Sequence, residues 1–184
     1  SMKKENVVLA AGPSGPNNRL DELIKQFKDL RMPGWKLVII GGDSYYQHYL
    51  DKLNHTIRES GMEDSVILAG SRLDLNRYFG TAKIYADVST TQEIPHSLGE
   101  AMAAGIPVVG FETADGAEGL VEHCTRGLLA PKGDFATFGL YLKQLMTYPA
   151  LCRKMGSYAQ SRVNQHKLAD IGDAYYNLLI PEKS

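Results

Sequence analysis

The segment Thr91-Gln-Glu-Ile-Pro-His-Ser-Leu-Gly-Glu-Ala-Met-Ala-Ala-Gly-Ile-Pro-Val-Val-Gly110 gathers the residues whose types and spacing can do chemistry. A loop holding Pro95 opens a helix with Ser97, Leu98 and Gly99 in its first turn. Amides there have no intrahelical partner and sit at the positive end of the helix dipole, which suits a diphosphate. Glu100 follows on the first turns and faces the same rim. A carboxylate in that position accepts hydrogen bonds from two vicinal hydroxyls, as in a ribose. The plainer alternative is an ordinary helix-start carboxylate favoured by the dipole. Ala101, Ala103 and Ala104 keep the helix slim, Gly105 ends it, and Pro107 opens a buried strand.

The elements that must carry this segment follow from hydrophobic period. Asn6–Ala11, Lys36–Ile40, Ser65–Ala69, Ile84–Val88, Pro107–Gly110 and Gly127–Ala130 read as strands. They are nearly continuous apolar runs, as expected when both faces of a sheet are covered. Helical patterns alternate with them: Asn18–Leu30, with Leu20, Leu23, Ile24 and Phe27 on one face, then Tyr45–Ser60, Leu73–Phe79 and Ser97–Ala104. Asp134 is placed to cap a helix running to about Thr147. This alternation predicts an α/β fold, a Rossmann-like parallel sheet of about six strands with helices on both faces. Residues 1–184 read as one domain, with a polar-rich helical tail over 149–184 that has less obvious core of its own. Ligands of such sheets bind outside the carboxyl ends of the strands. That rule selects the loops Gly12–Asn18, Gly41–Tyr45, Gly70–Asp74 and Thr90–Leu98 and places them on one rim.

Composition narrows the classes. Hydrophobic residues make up 43% and charged residues 22% of 184, with a formal net charge of −1, so the chain as a whole is not marked as a nucleic-acid or membrane-surface binder. Cys124 and Cys152 make no disulfide framework, and no Cys/His spacing suggests a metal site. A reducing cytoplasm is the expected compartment. Ser1-Met2 is expected to be a cloning scar ahead of Lys3, and the chain an excised piece of a longer protein.

In these residues the sequence resembles the retaining glycosyltransferases with the GT-B fold, the family-four type, also called glycosyl transferases group 1. Among them, bacterial polysaccharide-assembly members are the most similar. The likeness rests on Ile94–Ala103 and Gly105–Phe111, on Glu118 in the next loop and on Gly127-Leu128-Leu129, and it covers roughly Val7 to Met146. It implies that this is the C-terminal, nucleotide-sugar-binding half, with the N-terminal acceptor domain absent. By the same resemblance, Glu100 holds the ribose hydroxyls, while Ser97 and Leu98 hold the β-phosphate. Arg72 and Leu73 border the base, and His96 lies near the donor sugar.

The resemblance has departures. Where the family has its first motif acid, eight residues before Glu100, this chain has Gln92, with Glu93 beside it. Where the family has an Arg and a Lys in the first glycine loop, it has Pro13 and Asn18, and Arg19 is the nearest cation. Fixed charge opposite a developing anion is usually the largest catalytic contribution, so the missing pair bears directly on activity. The expected function is therefore transfer of a hexose from a nucleotide diphosphate sugar, UDP-linked, to a saccharide or surface-polymer acceptor. Neither cofactor nor metal is implied, and the full-length protein is compatible with peripheral membrane association. The alternative is a degenerate homologue acting as a non-catalytic partner or carbohydrate-binding subunit. A sugar-nucleotide epimerase is disfavoured by the Glu100 block.

Overall fold

The computed structural model of the chain describes residues 3–11, 19–41, 47–70, 75–89, 96–112 and 117–165; the side chains of 117, 118 and 165 are not included. Six strands, β1 (Val7–Ala11), β2 (Lys36–Ile40), β3 (Val66–Gly70), β4 (Ile84–Ala86), β5 (Val108–Phe111) and β6 (Gly127–Ala130), form one sheet in the order β3-β2-β1-β4-β5-β6. Every pairing is parallel, in the register Val7↔Lys36 for β1/β2, Val8↔Ile84 for β1/β4 and Tyr85↔Val108 for β4/β5. Chain order runs outward in one direction from β1 and in the other from β4. The boundary between those two strands is thus the topological switch point, where such sheets open a crevice.

The helices are α1 (Leu20–Leu30), α2 (Gln47–Glu59), α3 (Leu75–Thr81), α4 (His96–Ala103), α5 (Ala117–Val121), α6 (Phe135–Thr147) and α7 (Pro149–Gln165). They divide between two cores, because successive strand residues point to opposite faces. Val8, Ala10, Ile84, Ala86, Val109 and Phe111 meet α1, α2 and α6 on one face. Leu9, Tyr85, Val108 and Leu129 meet α3, α4 and α5 on the other. Asp134 caps α6 as expected, accepting from the Thr137 amide at 3.0 Å.

Three features differ from the reading of the sequence. The segment after Pro149 has a core role: Cys152 and Met155 of α7 enter the first core, and Ala159 and Val163 enter the second. The helix therefore passes from one face of the sheet to the other at the amino ends of the strands. There the Cys152 thiol reaches the Lys83 carbonyl at 3.4 Å and Gln160 Nε2 donates to the Ala103 carbonyl at 3.0 Å. Its polar surface hid this role, since a helix touching two cores shows no single apolar stripe. Secondly, β4 stops at Ala86, short of the expected Val88. The Asp87 amide still donates to the Val109 carbonyl, but the Asp87 carboxylate captures the Ser89 amide at 3.0 Å and turns the chain off the ladder. Finally, five residues of helix, α5, stand between β5 and β6, a segment too short for its apolar period to show.

Candidate functional site

Because all six strands are parallel, their carboxyl ends share one rim, marked by Ala11, Gly41, Gly70, Asp87, Phe111 and Ala130. Gly41 donates to the Gly70 carbonyl at 2.9 Å, which ties two of these ends together. The expected site residues Gly12, Arg72, Leu73, Gln92 and Glu93 lie outside the described residues, as do Pro13 and Asn18. The Glu118 side chain is likewise outside them.

The described part of the site is the start of α4. This helix begins one residue earlier than expected, at His96. His96 and Glu100 are exposed, Ser97 is partly exposed, and Leu98 is fully buried against Ala101 and Met102 in the second core. Leu98 has no exposed surface, and its side chain anchors the helix. Glu100 lies one turn in with its carboxylate in solvent. That arrangement places the start of a helix, whose first amides have no intrahelical partner, within one turn of an exposed carboxylate.

Beneath α4 lies Tyr85 of β4, which composition and period had merged into an apolar run. It is fully buried, and its hydroxyl meets Ser97 Oγ at 2.6 Å. Burial pushes the Tyr85 phenol well above the usual tyrosine range. The Asp87 and Glu100 carboxylates push it the same way, against the opposing bonds from Ser97 and the Ala11 backbone. The phenol is thus neutral at any working pH and touches β1, β4 and α4 together across the switch point. Asp87, on the same face at the end of β4, was also missed. As a residue it keeps a partly exposed edge, yet burial of its carboxyl pushes it up to about 6, against the pull of the Ser89 amide. A carboxylate directly after a buried strand was the one available signal for it.

Arg19 ends the first rim loop and caps α1 in the left-handed conformation, at φ 43°. Its guanidinium lies 5.2 Å from the Phe135 ring centre at the start of α6 and 3.8 Å from Glu22 Oε1. Phe135 stands edge-on to Phe111, centroids 5.0 Å apart, so this cation sits over an aromatic cluster at the ends of β5 and β6. Behind it, Tyr49 of α2 accepts from the Leu20 amide at 3.0 Å, and Lys52 pairs with Asp21 at 2.9 Å. Burial alone would raise the Asp21 carboxyl, but the Lys52 bond and charge outweigh it and hold the group below its ordinary value. Tyr49 is therefore a packing residue that fixes the start of α1. Among the described residues, no group of three or more His, Cys, Asp or Glu side chains is placed to hold a metal ion. No described helix is long and apolar enough to cross a membrane.

The chain is similar to known proteins over this same frame. It is 27% identical over 180 residues to an uncharacterised glycosyltransferase of Haemophilus influenzae, covering 96% of this chain and 50% of that protein. It is 36% identical over 102 residues to the amylovoran biosynthesis glycosyltransferase AmsK of Erwinia amylovora, covering 51% of this chain and 25% of that protein. Among solved structures, Anabaena Alr3699/HepE in complex with UDP-glucose superposes with a TM-score of 0.83 at 24% identity, covering 95% of this chain and 48% of that one. The chain thus spans half or less of these relatives. A family match extends over residues 1–162, taking in all six strands and the α4 segment, and by that match the chain belongs to the glycosyl transferases group 1 family.

Proposed function

We propose that this chain is the donor-binding domain of a retaining GT-B glycosyltransferase that moves a hexose from a UDP-linked donor to a saccharide or surface-polymer acceptor. The observation that carries this reading is the exposed Glu100 carboxylate one turn into α4, beside Ser97 and the first-turn amides at the sheet's switch point. The UDP-glucose held by the HepE protein supports the donor class, and the amylovoran role of AmsK supports a polymer acceptor.

In this reading the amides of Ser97 and Leu98 take the β-phosphate and Glu100 takes the ribose hydroxyls. Gln92 and Glu93 approach the sugar, with His96 beside them. As the bond from the sugar's anomeric carbon to the phosphate oxygen breaks, negative charge grows on the diphosphate. Donors already fixed there stabilise that charge without reorganising. Backbone amides and cations do this work without a divalent metal. The remaining half of the longer protein supplies the acceptor cleft, so the isolated chain binds donor but does not turn it over. The setting that fits is the cytoplasm, with the longer protein at the membrane periphery where surface polymers are assembled.

A second reading has its own support. Gln92, Pro13 and Asn18 replace charged residues of the family, and Arg19 rests on Phe135. A non-catalytic homologue would keep the fold while losing the charges that drive the reaction.

Melting of the chain with UDP, GDP, ADP and their hexose conjugates tests the donor reading. Binding stabilises by roughly 2.7 kcal/mol at a hundredfold excess over Kd. The expected result is a clear rise with UDP and UDP-hexose that Glu100→Ala abolishes. No shift with any nucleotide would overturn it. Sugar transfer by the longer protein then separates the enzyme from the non-catalytic partner.

A further inference from the structure

We infer that Tyr85 is a positioning residue for the donor diphosphate: its buried hydroxyl donates to Ser97 Oγ and leaves the Ser97 proton for the β-phosphate. The inference rests on the donor-domain reading above and assigns a role to a residue to which the family resemblance gives none.

Two observations support it. The two oxygens are 2.6 Å apart, a short hydroxyl–hydroxyl bond. Tyr85 is fully buried while Ser97 is partly exposed, so of the pair only Ser97 meets solvent or a ligand. The direction follows from chemistry. A phenol is a stronger acid than an aliphatic alcohol and a weaker acceptor, so the favoured arrangement is phenol O–H to serine oxygen. A serine so held has one proton left, and its rotation is restricted. In a solvated first turn a serine hydroxyl would otherwise choose among water and nearby carbonyls. Preset donors are what stabilise an anion without paying reorganisation at the moment of need.

A purely structural Tyr85 makes a different prediction. A buried phenol needs a partner to offset its desolvation, and Ser97 would serve that need alone. Removing the hydroxyl would then change stability, with no preference between ligands that have phosphates and ligands that lack them.

Calorimetric titration of the chain with UDP and with uridine separates the two. Tyr85→Phe removes one oxygen and leaves the ring to fill its site, and melting checks that the fold is kept. The expected result is a loss of UDP affinity of roughly fivefold to tenfold, the scale of one net hydrogen bond, with uridine changed less than twofold. Ser97→Ala loses at least as much, Ser97→Thr restores most of it, and adding Tyr85→Phe to Ser97→Ala costs nothing more. Unchanged UDP binding in Tyr85→Phe, equal losses for UDP and uridine, or losses that multiply in the double variant would each overturn the inference. Failure of the unsubstituted chain to bind UDP at all overturns the donor reading and this inference together. UDP binding that depends on Glu100 but ignores Tyr85 overturns this inference alone.

Discussion

The Arg19 guanidinium lies 5.2 Å from the centre of the Phe135 ring, at the rim where the strands end. The side chain is 47% exposed, and its ion pair with Glu22 is long, at 3.8 Å. A cation–π contact of this kind is worth about 0.5–1 kcal/mol at an exposed site, and a surface ion pair less. Arg19 is therefore weakly held and free to swing to an anion. Arg19→Ala should lower affinity for UDP about threefold or more, the scale of a partly screened charge contact, with uridine nearly unchanged. Titration of both ligands checks this, and equal weakening would remove Arg19 from the site.

Asp87 should give the protein a pH-dependent stability of identifiable origin. Its folded pKa is raised to about 6, against about 3.9 in an unfolded chain. The neutral form is the one the fold prefers, so this contribution is fully present below pH ~4 and is lost as pH rises through about 6. Asp87→Asn keeps an acceptor for the Ser89 amide and removes the titration. Its stability relative to the parent should therefore increase between pH 4 and pH 7, by on the order of 2–3 kcal/mol. Urea unfolding of both proteins across that range checks this, and a difference that stays flat with pH would refute it.

Tyr49→Phe tests the support behind the rim. It would strip the Leu20 amide of its buried acceptor at the start of α1. An orphaned buried amide costs about 1–3 kcal/mol, so Tm should fall by several degrees. UDP affinity should follow only if the α1 start contributes to the site. A melting curve unchanged by the substitution would mean that water replaces the hydroxyl.

The crossing of α7 should be sensitive to one methyl group. A Cβ on Gly156 would run into the Gly105 carbonyl oxygen and press on Pro107, both of them backbone-constrained neighbours. Gly156→Ala should therefore destabilise by about 2–3 kcal/mol or more, despite the higher helix propensity of alanine. Denaturant unfolding provides the measurement. A neutral or stabilising result would show that α7 does not dock so closely at the amino edge of β5.

Much of this protein was legible from residue order alone. The apolar runs Leu37–Ile40 and Val108–Val109 are strands because both faces are covered, and alternation of such runs with helical periods leaves a parallel sheet as the one economical solution. The α4 segment could be read too, because its shape depends on local geometry: a helix start supplies its own amides, and Glu100 one turn later follows from spacing. Likewise Asp134 announced its cap, since that bond spans only three residues.

Tertiary structure decided what depends on distant partners. Tyr85 and Ser97 are twelve residues apart, and nothing in either identity says that the phenol points up beneath α4. Strand alternation and the placement of β4 beside β1 bring it there. The resting place of Arg19 could not be read either, because Phe135 lies on the far side of the chain and meets it only once α1 packs on α6. The passage of α7 between the two cores belongs to the same class, as its polar sequence has no meaning until Gly105 and Lys83 are brought beside it. Local spacing determined the fold and the start of α4; long-range packing determined which side chains hold that start in place.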